Sequence, residues 1–438
     1  MKLIEQILAK SNVRTALEGV ISNHGAAGTD GMPVEGLRDH MNANWRSIKE
    51  SILARGYRPA PVRRVEIPKP NGGVRKLGIP NVVDRVIQQS IVQILTPIFE
   101  SEFQENSYGF RPGRSCEQAV LKLTEYLNEG YEWIVDIDLE KFFDNVPQDK
   151  LMSYVGRVIR DPATESLIRK YLKSGVMENG IYSSTELGTP QGGNLSPLLS
   201  NVMLNELDKE LNRRGLHWVR YADDCVIAVR SSASANRVMH TITKWIERKL
   251  GLKVNAEKTH VCRPSKLKYL GFGFYKSPKT QTWRTRPYES SVAKFQRTLK
   301  KLCKRSWSMS MKVRITKLNQ VIRGWVNYFA TADMKGRMAD IDAHLRTMLR
   351  KVIWKQWKTP QKRAWGLRKL GIDNDMAKLT SYCGDRYEWV VRRTCVVRAI
   401  SKEILQRKGL VSVLDYYEIR HTLKTNQTAV CRTARTVV

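Results

Sequence analysis

Two apolar runs, His217-Trp218-Val219-Arg220-Tyr221 and Cys225-Val226-Ile227-Ala228-Val229, enclose the short acidic turn Ala222-Asp223-Asp224. The pattern is that of a β-hairpin, and it limits this part of the chain to an antiparallel sheet with its turn at one edge. The two adjacent carboxylates repel each other, and no Gly or Pro stands beside them to mark an ordinary loop. One explanation is a solvated hairpin tip with two incidental acids. The other is a site for a divalent cation, which would remove the repulsion. The turn by itself does not decide between them, but the stretches arranged around it do.

Upstream, Trp133-Ile134-Val135-Asp136-Ile137-Asp138-Leu139 reads as a buried strand with two acids on one face. Carboxylates there are costly unless they are paired or hold a metal. The chain then turns through Glu140 to Val146 into a helix, carrying Phe142 and Phe143. Earlier still, Arg63 to Pro80 alternates apolar residues about Pro70-Asn71-Gly72-Gly73, a second hairpin. Lys69 and Arg75 flank its turn, where both can reach a triphosphate, Arg bidentately and Lys as a point charge. Leu187 to Pro197 is a glycine loop containing Gln191, which can bond a base or sugar, and it opens an amphipathic helix through Leu207. The loop Asn23 to Gly31 is small and glycine-rich; it is either a connector or a place where backbone amides approach a phosphate. In Ser107-Tyr108-Gly109-Phe110-Arg111-Pro112-Gly113, the aromatic residues are expected in the core and Arg111 on a backbone phosphate.

The remaining segments are mostly helical in period: 1–56, 82–98, 115–128, 151–175 and 233–250, with Leu252–Thr259 and Tyr269–Phe274 strand-like. The chain of 438 residues has 75 Lys+Arg against 42 Asp+Glu, a net charge of +33. Residues 290–438 hold 33 of the bases and only 10 of the acids, so about two thirds of the excess sits in the last third. A solvated basic surface would not be so concentrated, and a large polyanion, nucleic acid, is the implied partner. Stripes at Val292, Phe295 and Leu299, at Leu318, Ile322 and Trp325, and at Leu345, Met348 and Val352 describe a basic three-helix unit. The seven Cys show no Cys-x-x-Cys pairing, which argues against zinc fingers and a disulfide framework and for a cytoplasmic protein. No apolar run reaches the length of a membrane span.

Taken in order, Lys69…Arg75, Asp138…Phe143, Pro190-Gln191-Gly192 and Tyr221-Ala222-Asp223-Asp224 resemble the fingers and palm motifs of reverse transcriptases. With Asn23 to Gly31, Ser107 to Pro112, and Leu318-Asn319…Arg323-Gly324-Trp325-Val326-Asn327-Tyr328-Phe329, the chain resembles bacterial group II intron-encoded reverse transcriptases (maturases), most similar to the endonuclease-lacking class C. The resemblance implies an α+β right-hand polymerase with an α-helical thumb and a small basic DNA-binding segment. Its expected parts are an N-terminal extension with a template lid (1–56), fingers and palm (57–289), the thumb or domain X (290–365) and the DNA-binding segment (366–438). It makes Asp138 and Asp223 the metal carboxylates with the Leu139 carbonyl as a further ligand, and Asp224 the supporting acid. Asp136 is the rival of Asp138, set aside because the family carries a bulky aromatic five residues after its metal Asp, as Phe143 does here. Lys69 and Arg75 become triphosphate contacts, Gln191 and Phe143 line the nucleotide pocket, and Asn23, Gly25, Ala26, Gly28, Arg63 and Arg111 meet the template.

The implied chemistry is nucleotidyl transfer with two Mg²⁺ ions about 3.5–4 Å apart, one activating the primer hydroxyl and one the pyrophosphate. Mg²⁺ needs only one or two carboxylates plus substrate oxygens. The implied partners are an RNA template with a DNA primer, deoxynucleoside triphosphates, group II intron RNA and target DNA, in a bacterial cytoplasm with nucleoid association when DNA is the target. Three rivals stand beside this reading. A polymerase making RNA is opposed by Phe143 at the position that would clash with a ribose 2′-hydroxyl. A non-catalytic splicing factor is opposed by the intact acidic positions. A reverse transcriptase without an intron, serving host defence, is opposed by the domain X motif.

Overall fold

The computed structural model describes residues 2–68, 72–178, 180–189 and 192–435, with side chains as far as residue 425. Lys69 and Gln191 therefore lie outside the described residues. The fold is α+β and packs as two units, Met1–Arg263 and Pro264–Val438.

The first unit holds two four-stranded sheets. Strands β1 (Val62–Pro68), β2 (Val74–Ile79), β4 (Val176–Glu178) and β5 (Ile181–Ser183) lie in the order β2-β1-β4-β5, and β1 runs parallel to β4. The second sheet orders β6 (His217–Tyr221), β7 (Asp224–Val229), β3 (Trp133–Ile137) and β8 (His260–Cys262) as β6-β7-β3-β8, antiparallel throughout. Both expected hairpins form: β1 pairs β2 from Arg63↔Ile79 to Pro68↔Val74, and β6 pairs β7 up to Tyr221↔Asp224. The second sheet is anchored by the helix Ser196–Arg213, whose Leu198, Leu199, Val202, Met203, Leu204, Leu207 and Leu211 are all buried in one core with Val135, Ile137, Trp218 and Ile227. Each such side chain contributes roughly 1.5–3 kcal/mol of burial, which fixes the sheet whose edge carries the acids.

Three local expectations change. The segment 151–175 is two helices, Gln148–Ile159 and Pro162–Leu172, because Arg160 turns left-handed and Asp161 caps the second helix, accepting from the Thr164 N–H with Pro162 at its first position. Leu252–Thr259 is not a strand; it makes only the bridge Leu139↔Val254, and the strand begins at His260. Tyr269–Phe274 is cut by a two-residue turn, Leu270-Gly271, both with positive φ, so that Tyr269 pairs with Phe272.

The second unit begins with the sheet β11-β10-β9, formed by β9 (Lys268–Tyr269), β10 (Phe272–Lys276) and β11 (Trp283–Pro287). Packing thus divides the chain ahead of residue 290, where composition shifts. The reason is aromatic: Phe272 meets Phe329, which meets Trp325, which stacks on Phe295 at 4.4 Å and 8°. That column ties the sheet to the helices Glu289–Leu302 and Met311–Tyr328. The helices Lys335–Gln356 and Val413–Arg435 complete the bundle, with short helices between them. No helix among the described residues is long and apolar enough to cross a membrane.

Candidate active site

The acids converge because β3 and β7 are neighbours. The register Asp136↔Val226 and Ile137↔Cys225 brings Asp138 level with Asp224, and alternation puts Asp136, Asp138 and Asp224 on one face of the sheet. Asp223 follows from the two-residue turn Ala222-Asp223, where Ala222 has φ of 56°. A left-handed alanine costs roughly 1–2 kcal/mol, so the turn is held by something other than its own preference.

The charges are visible in the proton affinities. Loss of hydration, then the charges of Asp223, Asp136 and Asp138, push the Asp224 carboxyl up to about 6, with Lys258 pulling it back. Asp224 is open to solvent on its outer side, so the lost hydration reflects protein packed beneath it rather than enclosure. Burial likewise pushes Asp136 up to about 6, opposed by His260 across the β3–β8 pair and reinforced by Asp138. Asp138 has its carboxylate 3.2 Å from the Lys258 ammonium. That pair is partly exposed, and such pairs are worth at most about 1 kcal/mol, so the ammonium is readily exchanged for another cation. The Asp138 backbone is held by Asn255, whose N–H donates to its carbonyl, and by the Thr259 hydroxyl, which accepts from its N–H. The Leu139 carbonyl accepts no hydrogen bond among the described residues.

This donor set fits a divalent cation. Neighbouring carboxylates raise the proton affinity of Asp224 and Asp136, an ammonium already stands on Asp138, and the Leu139 carbonyl accepts from no donor among the described residues.

The other expected residues fall out unevenly. Arg75 is exposed on β2 opposite Ile67. Phe143 is half-buried, its ring edge-on to Phe142 at 5.2 Å, and its carbonyl accepts from the Thr189 N–H at 2.7 Å. Gly188 lies so close that a Cβ there would stand 2.7 Å from the Phe143 oxygen, so the loop leading to Gln191 is braced against the Phe143 turn. In the Asn23–Gly31 loop the glycines serve packing: a Cβ on Gly28 would meet Asn81 Oδ1 at 2.1 Å, and one on Gly25 would meet Arg85. Arg63 donates twice to the Ala27 carbonyl and Arg85 to that of Ala26, which turns these carbonyls inward. Asn23 and Ala26 line an open cavity of about 260 Å³ with Gly78, Arg85, Gly192 and Asn194.

Two expectations are corrected. Arg111 is buried, pairs with Glu100 at 2.6 Å and donates to the carbonyls of Gln104 and Ser107, so its guanidinium is not free for a phosphate. Phe110, expected in the core with Tyr108, is 53% exposed with φ of 56°, tilted toward Tyr221 at 6.5 Å, whereas Tyr108 is buried. Sequence reasoning missed Lys258. Its signal was the Asn255 side chain, which accepts from the N–H groups of Glu257 and Lys258 and so forms an Asx turn. It also missed the buried partners of Arg220, whose spacing carries no local signal.

Residues 67–274 match the family model described as reverse transcriptase (RNA-dependent DNA polymerase), and residues 292–371 that described as group II intron, maturase-specific domain. The chain is 33% identical over 300 residues to protein YkfC of Escherichia coli (strain K12), covering 59% of this chain and 79% of that protein. It is 38% identical over 209 residues to group II intron-encoded protein LtrA of Lactococcus lactis subsp. cremoris, covering 48% of this chain and 35% of LtrA. With nuclear intron maturase 2, mitochondrial, of Arabidopsis thaliana it shares 30% identity over 184 residues, 33% of this chain and 25% of the maturase. The match thus spans only 35% of LtrA and a quarter of the maturase.

Proposed function

We infer how this chain works from the premise that it belongs to the reverse transcriptase family and carries the group II intron maturase-specific domain. It is an RNA-directed DNA polymerase. The observation that supports the assignment of residues is the single face shared by Asp136, Asp138 and Asp224 at the Ala222-Asp223 turn. Asp138 and Asp223, with the Leu139 carbonyl, would hold two Mg²⁺ ions, which when bound activate the primer 3′-hydroxyl and stabilise the leaving pyrophosphate.

The other steps belong to the chain's own groups. Asp138 pairs with the Lys258 ammonium, which a bound cation would displace, and Asp224 adds negative charge on the same face. Arg75 and Lys69 steady the triphosphate from the β1–β2 hairpin. Phe143 packs beneath the incoming sugar and excludes a 2′-hydroxyl, while Gln191 orients the nucleotide. Asn23, Gly25, Ala26 and Gly28, in a loop set by Arg63 and Arg85, cover the template strand.

Residues 57–289 supply these fingers and palm groups, 290–365 the thumb and 366–438 a DNA-binding segment. The basic helices after residue 290 grip the intron RNA and so assist splicing and retrohoming to target DNA. Two assays at one near-physiological salt test the whole: cDNA extension on an unrelated RNA, and splicing of a group II intron RNA. Asp223→Asn should end extension and leave intron binding and splicing near wild type. Loss of splicing together with extension in a folded variant would refute the separation, and wild-type extension by Asp223→Asn would refute the metal assignment.

A further inference from the structure

The turn that carries Asp223 hangs from one arginine. Arg220 is fully buried, and a guanidinium has five N–H donors. All five are engaged. Nε donates to Asp208 Oδ1 at 2.7 Å and Nη2 to Asp208 Oδ2 at 2.5 Å. Nη2 also donates to the Ser107 hydroxyl at 2.8 Å, and Nη1 to Asn201 Oδ1 at 3.0 Å and to the Ala222 carbonyl at 2.8 Å. Asn201 passes the connection on, donating from Nδ2 to the Gly109 carbonyl at 2.8 Å. Gly109 in turn lies against the turn itself: a Cβ there would stand 2.2 Å from the Ala222 nitrogen and 2.9 Å from the Tyr221 carbonyl carbon. The main chain of Arg220 is also fixed, its N–H donating to the Asn106 carbonyl and its carbonyl accepting from the Tyr108 N–H.

A buried ion pair is a poor device for stability alone, since apolar residues of similar volume often do as well. What this one adds is direction. The Ala222 carbonyl shares a peptide plane with the Asp223 nitrogen, and the plane leaves an alanine in the left-handed region. We propose that Arg220, oriented by Asp208 and Asn201, is a positioning residue that fixes the Ala222–Asp223 peptide plane and thereby sets where the Asp223 carboxylate stands relative to Asp138. The proposal rests on the reading of Asp223 as a metal-holding carboxylate. Because misplacement of a reacting group by about 1 Å costs on the order of a hundredfold in rate, the effect belongs to metal affinity and turnover, and not to grip on the nucleic acid.

The test uses the full chain bound to an RNA–DNA primer–template. The double variant Arg220→Met/Asp208→Leu replaces the pair with apolar groups of similar size, and Asn201→Ala keeps the pair but cuts its link to Gly109. Melting temperature, primer–template Kd, extension rate at saturating nucleotide, and Mn²⁺ binding by electron paramagnetic resonance are measured for each. The expected result for the double variant is a near-wild-type Kd, extension slower by about a hundredfold, and Mn²⁺ binding weakened about tenfold or more. Asn201→Ala should fall between it and wild type in both rate and Mn²⁺ affinity. A role confined to stability would lower the melting temperature while folded molecules kept wild-type Mn²⁺ affinity, and that result would overturn the proposal. If the double variant does not fold, Asn201→Ala decides alone: wild-type Mn²⁺ affinity and rate in it overturn the proposal equally. Should wild type itself fail to extend a primer, the polymerase reading falls, while weakened Mn²⁺ binding in the variants would still uphold the positioning role.

Discussion

Replacing Lys300, Lys301 and Lys304 with Gln should flatten the salt dependence of RNA binding without unfolding the protein. The helix Glu289–Leu302 buries Val292, Phe295 and Leu299, and its opposite side together with the following turn exposes Lys294, Arg297, Lys300, Lys301, Lys304 and Arg305. None of these six forms an ion pair among the described residues, unlike Arg337, which is held by Glu289, or Lys351, which is held by Glu388. Each cation that neutralises a phosphate lowers log K by roughly 0.7–0.9 per decade of salt. Six together give a slope of about −4 to −5, so raising salt from 50 to 200 mM should weaken binding roughly 300- to 2,000-fold. Removing three should reduce the slope by about 2–3 and leave the low-salt affinity most affected. Arg305 is left in place because its guanidinium lies 4.2 Å from the Tyr387 ring centroid, a cation–π contact worth about 0.5–1 kcal/mol whose loss would confuse stability with RNA binding. Fluorescence anisotropy of a labelled intron RNA, titrated at five salt concentrations, measures the slope directly. A triple variant whose slope stays within about half a unit of wild type would mean that this face neutralises no phosphate.

The remaining expectations concern single residues. Asp138→Ala should abolish extension while Asp136→Ala keeps a measurable rate in single-turnover assays; the opposite order would exchange their roles. Phe143→Val should raise incorporation of ribonucleotides relative to deoxynucleotides by about tenfold, ~1.4 kcal/mol, and an unmoved ratio would make Phe143 packing only. Burial pushes the Asp84 carboxyl up to about 6 despite hydrogen bonds from the Tyr57 and Tyr171 hydroxyls. Because its folded value lies above the unfolded one, the stability it permits is complete below about pH 4 and is lost as pH rises through 6, by about 3 kcal/mol. Denaturation of wild type against Asp84→Asn should therefore diverge in favour of the variant between about pH 4 and pH 6 and level off above, and a constant difference across that range would show that folding does not raise the Asp84 carboxyl.

Much of the fold is legible in the sequence because its cues are local. The β1–β2 and β6–β7 hairpins announce themselves by alternation about a turn, and the helix Ser196–Arg213 by a broad apolar stripe. The misread segments also had local cues, but weaker ones. Asp161-Pro162 is a capping signal inside a period that otherwise runs on, and Gly271 is a turn residue inside an apolar alternation that favours one strand. Leu252–Thr259 has strand composition but pairs only once, since the Asn255 side chain bonds the following N–H groups and bends the chain away. Composition placed a boundary near residue 290, whereas the boundary of packing is set by where Phe272 finds Phe329, a contact no local pattern contains.

The site divides along the same line, between chemistry that a short motif carries and geometry that only distant contacts supply. Asp138, Asp223 and Asp224 were readable because acids at a strand end and in a turn without Gly are costly in any fold that does not use them. Arg111 was misread for the converse reason: an arginine between Phe110 and Pro112 looks like a phosphate contact until Glu100, eleven residues back, is brought against it. Arg220 carried no signal at all. Its partners Asp208, Asn201 and Ser107 lie 12, 19 and 113 residues away and touch only after the helix Ser196–Arg213 has packed beneath β6. The anomaly, a φ of 56° at alanine, becomes visible only with the hairpin register, in which Tyr221↔Asp224 leaves Ala222 and Asp223 as the two turn residues. Such a turn favours Gly or Asn at that position. An alanine there is held by a donor placed against its carbonyl, and Arg220, fully buried two residues away, is the one that the hairpin itself supplies.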